Sequence, residues 1–265
     1  MTKTILITGS TDGIGLLTAQ KLAAEGHRVL LHGRSADKLS RAAEDVGEVA
    51  GTYRADLSVM SEVVEMAEAI LADHDHLDVV INNAGVLKAP HPKTEAGRDI
   101  RFDVNTIAPF ILTKRLLSIM PKDGRVVNLS SAAQARVDTA AMLSFHPMGD
   151  MDAYAQSKLA ITIWTAELAK EMPEGPVVVA VNPGSLLASK MVKEGFGVSG
   201  NDLSIGADIL IRASLSDEFA PASGRYFDND SGAFAQPNSA ASDAKHVNEV
   251  MRATLQAAQP FLTEE

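Results

Sequence analysis

Thr4-Ile5-Leu6-Ile7-Thr8-Gly9-Ser10-Thr11-Asp12-Gly13-Ile14-Gly15 opens the chain as a strand, a turn and the start of a helix. The run at 4–7 is short and wholly apolar, as a parallel strand buried on both faces requires. The apolar face of the following helix is Leu16, Leu17, Leu22 and Ala23. Glycines at 9, 13 and 15 allow a tight turn and let an anion come close to the helix N-terminus, where free N–H groups and the helix dipole favour it. Three glycines can form an ordinary turn. Placed after a strand, before a helix and at the head of a βαβ unit, they point to dinucleotide binding, with Ser10, Thr11, Asp12 and Ile14 as further candidate contacts.

Working outward, the second strand, 28–32, ends in Gly33-Arg34-Ser35. An acidic side chain near this strand end would accept from the ribose hydroxyls of NAD, whereas an arginine suits the 2′-phosphate of NADP. Arg34 therefore favours NADP(H), with NAD(H) as the lesser expectation, although Asp12 in the turn offers nothing to a phosphate. A third strand, 51–54, leads to Ala55-Asp56-Leu57, where Asp56 either caps the helix expected over 59–73 or reaches the adenine end of a cofactor. The fourth strand, 77–81, runs into Asn82-Asn83-Ala84-Gly85. A single helix is expected over 98–120. Within it Pro109 cannot donate to the Asn105 carbonyl, which leaves that carbonyl free for water or a side chain.

The fifth strand, 124–129, delivers Ser130 and Ser131 to the same sheet edge. The 22 residues between Ser131 and Tyr154 are irregular and apolar, with Met142, Leu143, Phe145, Met148 and Met151. Such a segment suits an adaptable substrate wall or a filled core gap. A triad of Ser131 with His146 and Asp138 or Asp150 finds no support in the spacing. The sixth strand, 175–181, ends in Asn182-Pro183-Gly184, followed by a loop with Lys190 and Lys193. A helix over 202–215, a seventh strand over 224–227, an irregular polar stretch over 228–242 and a last helix over 244–258 complete the chain. The pattern predicts one α/β domain over 1–265, a Rossmann fold with a seven-stranded, doubly wound parallel sheet flanked by helices. Its cofactor half is about 1–130 and its substrate half about 131–260.

Tyr154-Ala-Gln-Ser-Lys158 lies in a helix expected over 152–172, and the four-residue spacing puts the phenol and the ammonium on one face. A phenol has an unperturbed pKa of about 10, and a cation beside it favours the phenolate, so Tyr154 is a candidate proton donor. Ordinary exposed helices carry such pairs too, and the pair gains meaning from the rest of the chain.

Of the 265 residues 22% are charged and 46% apolar, with a net charge of −10, which is the balance of a folded globular protein without affinity for nucleic acid. Cysteine is absent, which excludes disulfides, thiolate metal sites and a cysteine nucleophile. No run resembles a signal peptide, and none approaches the ~20 apolar residues of a membrane span. A cytoplasmic protein that uses no metal is the expectation.

Together these residues resemble the short-chain dehydrogenase/reductase family. The resemblance rests on Thr8-Gly9-x-x-x-Gly13-x-Gly15, Asn82-Asn83-Ala84-Gly85, Asn105, Ser131, Tyr154-x-x-x-Lys158 and Pro183-Gly184, in the family's order and over essentially the whole chain. It implies hydride transfer between a nicotinamide and a carbonyl or alcohol. In that chemistry Tyr154 is the general acid/base, Lys158 lowers its pKa and holds the nicotinamide ribose, and Ser131 orients the reacting oxygen. Asn105 would hold a water of the proton relay. Cofactor contacts are implied for the Gly-rich turn, Arg34, Asp56, Leu57, Asn83, Ala84, Gly85, Tyr154, Lys158, Pro183, Gly184 and, in place of the family's usual threonine, Ser189.

The long Ser131-to-Tyr154 interval and Ala-Ser-Gly-Arg-Tyr-Phe at 222–227 look like the retinol-dehydrogenase-like branch, which favours NADP(H) and an apolar or bulky carbonyl substrate. Family members often pair through helices like those near Tyr154 and Asp202, so a homodimer or homotetramer is implied as an assembly. Two other classes share part of the pattern. A regulatory NADP-binding protein without turnover would not need all four catalytic candidates, and an NAD-dependent epimerase or dehydratase would usually need a larger C-terminal domain than this chain has room for.

Overall fold

The computed structural model describes residues 1–188 and 200–262. Strands β1 (Thr4–Ile7), β2 (Arg28–Gly33), β3 (Gly51–Arg54), β4 (Val79–Asn82), β5 (Arg125–Leu129), β6 (Val177–Asn182), β7 (Tyr226–Asp228) and β8 (Ala233–Ala235) form one sheet in the order β3-β2-β1-β4-β5-β6-β7-β8. The chain winds outward from β1 to β3 and then returns to the other side of β1 with β4. Strand order thus reverses between β1 and β4, and the loops beyond the C-terminal ends of these strands part to leave a crevice.

Both sheet faces are covered, which explains why β1, β4 and β5 are buried along their whole length. One face carries α1 (Gly13–Ala24), α2 (Ala36–Val46) and α8 (Leu203–Leu215). The other carries α3 (Met60–Asp73), α5 (Ala108–Leu116), α7 (Asp150–Glu171) and α9 (Ala244–Ala258). Phe110 meets Trp164 edge to face between α5 and α7, with ring centroids 5.5 Å apart.

The sheet has eight strands where the sequence suggests seven, and the added strand β8 is antiparallel to β7. Three residues, Ala-Phe-Ala, are too few to show a period, and the stretch reads as polar because its turn, 229–232, is. Phe234 supplies the reason the strand forms. Its ring packs at a tilt on Phe219 and edge to face with Phe227, at 5.2 and 5.1 Å, and the Arg225 guanidinium covers it at 3.9 Å.

The single helix expected over 98–120 is divided. A short turn, α4 (Ile100–Phe102), passes into a π-helical segment, Asp103–Ile107, before α5, and a 3₁₀ turn, Leu117–Ile119, ends it. Pro109 has no N–H to give residue 105, and the helix widens just ahead of it, so that the Ala108 N–H reaches back to the Asp103 carbonyl. A short helix, α6 (Thr139–Leu143), capped by Asp138, interrupts the stretch expected to be irregular, and α7 begins at Asp150, two residues earlier than expected, with Gly149 as its N-cap.

The start of α7 is tied to α4 through buried charge. Arg101, 1% exposed, pairs with Asp99 and with Asp150, each at 2.6 Å. Arg98 pairs with Asp103 at 2.6 Å beside it. Removing one partner of such a pair leaves the other charged in a dry interior. Arg101→Leu should therefore lower unfolding stability by about 3 kcal/mol, as read from the denaturant midpoint at constant slope, and a loss under about 1 kcal/mol would refute this role.

Candidate active site

A cleft of about 380 Å³ opens at the strand-order reversal, walled by the turns after β1, β2, β3 and β4 and by α7. In the Gly-rich turn, Gly9 and Gly13 have φ of +65° and +55°, and the Asp12 carboxylate caps α1 by accepting from the Gly13 N–H at 2.8 Å. A Cβ on Gly15 would lie 2.4 Å from the Gly9 carbonyl oxygen, so no other residue fits there. Asn83 holds the turn from the β4 side by donating from Nδ2 to the carbonyls of Thr8 and Gly9 at 2.8 and 3.1 Å. Asn82 lies one layer deeper. Its Nδ2 donates to Asn128 Oδ1 and Thr113 Oγ1, and Asn128 in turn donates to Thr165 of α7.

Of the cofactor candidates, Gly9, residues 11–15, Arg34, Asp56, Leu57, residues 83–85, Tyr154, Lys158 and Pro183 line the cleft. Ser10 does not. It is fully buried, and its hydroxyl accepts from the His32 N–H at 2.9 Å, so it ties β2 to the turn rather than facing a ligand. Gly184 also lies outside the lining, and Ser189 lies outside the described residues. Asp56 shapes a turn, its Oδ1 accepting from the N–H and hydroxyl of Ser58, and it also lines the cleft.

Lys158 is 3% exposed, and its Nζ donates to the Leu129 carbonyl at 2.6 Å. Burial pushes its pKa down to about 7. The same ammonium stands 5.6 Å from the centre of the Tyr154 ring. Tyr154 is partly buried, and desolvation raises its pKa above the ordinary phenol value while the Ser131 hydroxyl pulls the other way. One of the three Lys158 N–H groups is taken by a backbone carbonyl, and loss of hydration is the larger influence on the phenol.

Ser131 sits beside Tyr154 just outside the cleft lining. Its Oγ accepts from the Ala133 N–H at 3.1 Å, and its carbonyl takes the Tyr226 hydroxyl at 3.1 Å. Asn105 does not line the cleft, although its partner Val86 does. The Asn105 Oδ1 accepts from the Val86 N–H, and its Nδ2 donates to the Val86 carbonyl and to Ser157 Oγ. Only the backbone of Asn105 could serve a relay.

Several lining residues carried no mark in the sequence. Lys38 lines the cleft near Arg34, with its Nζ 3.9 Å from Asp12 Oδ2. A spacing of four from Arg34, at a helix start, is the signal that could have found it. His32 lines the wall from within β2, and Val86, Ile100, Val104 and Leu129 give the cleft an apolar part. Gly33 faces the Thr11 side chain, and a Cβ there would lie 2.4 Å from Thr11 Cγ2, so that any larger residue requires Thr11 to turn aside. Among the described residues no group of three His, Cys, Asp or Glu is placed to hold a metal, and no helix is long and apolar enough to cross a membrane.

A family model described as short chain dehydrogenase matches residues 3–196. Retinol dehydrogenase 13 of Homo sapiens is 32% identical over 85% of this chain and 76% of its own length. An uncharacterized protein of Mycobacterium paratuberculosis, 25% identical, superposes with a TM-score of 0.81 over 97% of this chain and 93% of that one. A short chain dehydrogenase of Shigella flexneri, crystallised as a complex with NADP, is 27% identical with a TM-score of 0.67 over 86% of this chain and 97% of that one. A Gly-rich turn, a Tyr-Lys pair in a cleft at the strand-order reversal and a family match over most of the length agree: the chain belongs to the short-chain dehydrogenase family, oxidoreductases that act on CH–OH and C=O carbons with a nicotinamide cofactor.

Proposed function

We propose that the protein is an NADP(H)-preferring carbonyl reductase or alcohol dehydrogenase for an apolar or bulky small molecule, with Tyr154 as its general acid/base. The observation that carries this reading is the placement of Tyr154 and Lys158 in one cleft with the Gly-rich turn and with two cations, Arg34 and Lys38. Support for NADP(H) comes from the same region. The Thr11 side chain crowds position 33, where an acidic residue would require it to turn aside, and Arg34 and Lys38 supply positive charge at the same cleft for a phosphate. The similarity to a short chain dehydrogenase complexed with NADP agrees with this preference.

The bound nicotinamide would supply or accept the hydride. The protein's part in reduction is to give the carbonyl oxygen a proton from the Tyr154 hydroxyl while the Ser131 hydroxyl donates to the growing negative charge. A charged Lys158 beside the phenol holds down the energy of the phenolate left behind. The Asn105 carbonyl, which Pro109 cannot bond, is the acceptor for a water that returns the proton. Val86, Ile100, Val104 and Leu129 keep the reacting end dry and match an apolar substrate.

Three outcomes test this reading. Tyr154→Phe should keep NADPH affinity within about twofold and lose roughly 10²–10⁴ in kcat, the usual worth of a positioned acid; full turnover in that variant refutes the assignment. A Lys158 pKa of about 7 means that its charge is lost as pH rises through neutrality, so kcat/KM for reduction should decline above about pH 7. A flat profile to pH 9 would contradict that role. Arg34→Ala combined with Lys38→Ala should raise KM for NADPH about 10²-fold and leave KM for NADH within about threefold, as measured by steady-state kinetics.

A further inference from the structure

We infer that His32 is a positioning residue for the cofactor cleft, an imidazole that fixes two of its walls to each other and sets the direction of the Gly9 amide. The inference rests on the reading that this cleft takes a nicotinamide dinucleotide. His32 is the fifth residue of β2, 3% exposed, with one edge on the cleft. Its Nδ1 accepts from the Gly9 N–H at 3.0 Å, and its Nε2 meets the Ala55 carbonyl oxygen at 3.1 Å. A carbonyl only accepts and an N–H only donates, so the two partners demand the neutral ring with its proton on Nε2.

The backbone of His32 is locked as well. Ser10 donates its N–H to the His32 carbonyl at 3.0 Å, and the Ser10 hydroxyl accepts from the His32 N–H. One residue of β2 therefore takes the N–H groups of two successive peptides, those of Gly9 and Ser10, and also holds the start of the turn after β3. Gly9 and Ala55 line the cleft on either side of it.

The consequence concerns which donors a phosphate can use. In a Gly-rich turn the backbone N–H groups are the anion ligands. Here the Gly9 N–H is spent on His32, and the Gly9 carbonyl on Asn83 Nδ2. Gly9 cannot shift aside, because its Cα packs so close to Ala84 that an added Cβ would sit 2.9 Å from the Ala84 Cα. The turn is gripped from β2 by His32 and from β4 by Asn83, and the amides left to face an anion lie beyond Ser10, apart from that of Gly13, which caps onto Asp12. Without the ring, the Gly9 N–H loses its partner and the Thr8-Gly9 peptide is held by Asn83 alone, the Ala55 carbonyl is released from β2, and the cofactor must order both on binding.

The test is NADPH binding by fluorescence titration and steady-state kinetics for the wild type, His32→Ala, His32→Asn and His32→Gln. Asn keeps an acceptor near the Nδ1 position, and Gln instead keeps a group with the reach of Nε2. Loss of the ring should raise the NADPH Kd about tenfold in His32→Ala with kcat at saturating cofactor within about twofold, because chemistry at Tyr154 is untouched. His32→Asn should recover most of the affinity and His32→Gln less. Wild-type affinity in His32→Ala, or a fall in kcat with unchanged Kd, overturns the inference. If His32→Ala does not fold, the order of Asn and Gln decides, and Gln binding as tightly as Asn overturns it. A wild-type protein that binds neither NADPH nor NADH would instead overturn the functional reading and take this inference with it.

Discussion

The ammonium of Lys158, held at 2.6 Å on the Leu129 carbonyl inside an almost closed wall, is the constraint the rest of the site answers to. Burying an ammonium is costly unless it is well bonded, and here one carbonyl is its hydrogen-bond partner among the described residues. Helix α7 must therefore be held firmly enough that the group cannot swing out to water. Polar stitches along the helix do this. Asp150 meets Arg101, Ser157 receives Asn105 Nδ2, Thr162 shares a hydrogen bond with Ser130, and Thr165 takes Asn128 Nδ2. The Thr106 hydroxyl adds a bond to the Ser157 carbonyl at 2.9 Å. Buried polar groups that are fully paired cost little and fix one arrangement, whereas apolar packing alone would allow the helix to slide. The result is an ammonium whose charge is easily gained or lost near neutral pH, in reach of a partly buried phenol.

A second set of bonds holds the segment after β6. Asp230, at the turn between β7 and β8, accepts from the Ser185 N–H at 2.8 Å and from Asn182 Nδ2 at 2.9 Å, and Asn229 Nδ2 donates to the Pro183 carbonyl. These bonds keep Pro183 at the cleft edge. The small hairpin at the sheet edge thus has a use beyond covering β7. Its aromatic cluster anchors it, and its acidic turn reaches over to the catalytic side.

The parts legible in the sequence are those in which chemistry fixes spacing. A glycine-dependent turn between a strand and a helix, and a tyrosine and lysine one helical turn apart, each obey a geometric rule that survives without coordinates. Buried parallel strands are equally plain as apolar runs. What escaped depends on contacts far apart in the chain. His32 reads as one polar residue in a strand, and only its approach to Gly9 and Ala55, 23 residues away on either side, shows a role. Ser10 reads as a cofactor contact because it stands in the Gly-rich turn, yet β2 claims its hydroxyl. Pro109 announced a broken hydrogen bond, but whether the helix kinks or widens depends on packing, and here it widens into a π segment. The Tyr154 phenol shows the same limit: proximity of a cation is visible in the sequence, and the desolvation that raises its pKa is not.

The central claim is hydride transfer from a nicotinamide in this cleft to a carbonyl carbon. Reduction of a bulky aromatic aldehyde with NADPH deuterated at the transferring C4 position, followed by mass spectrometry of the alcohol, tests it most directly. The account predicts one deuterium on the carbinol carbon, and none in product formed with unlabelled cofactor. Tight NADPH binding with no deuterium delivered to any member of a panel of aldehydes, ketones and quinones would contradict it.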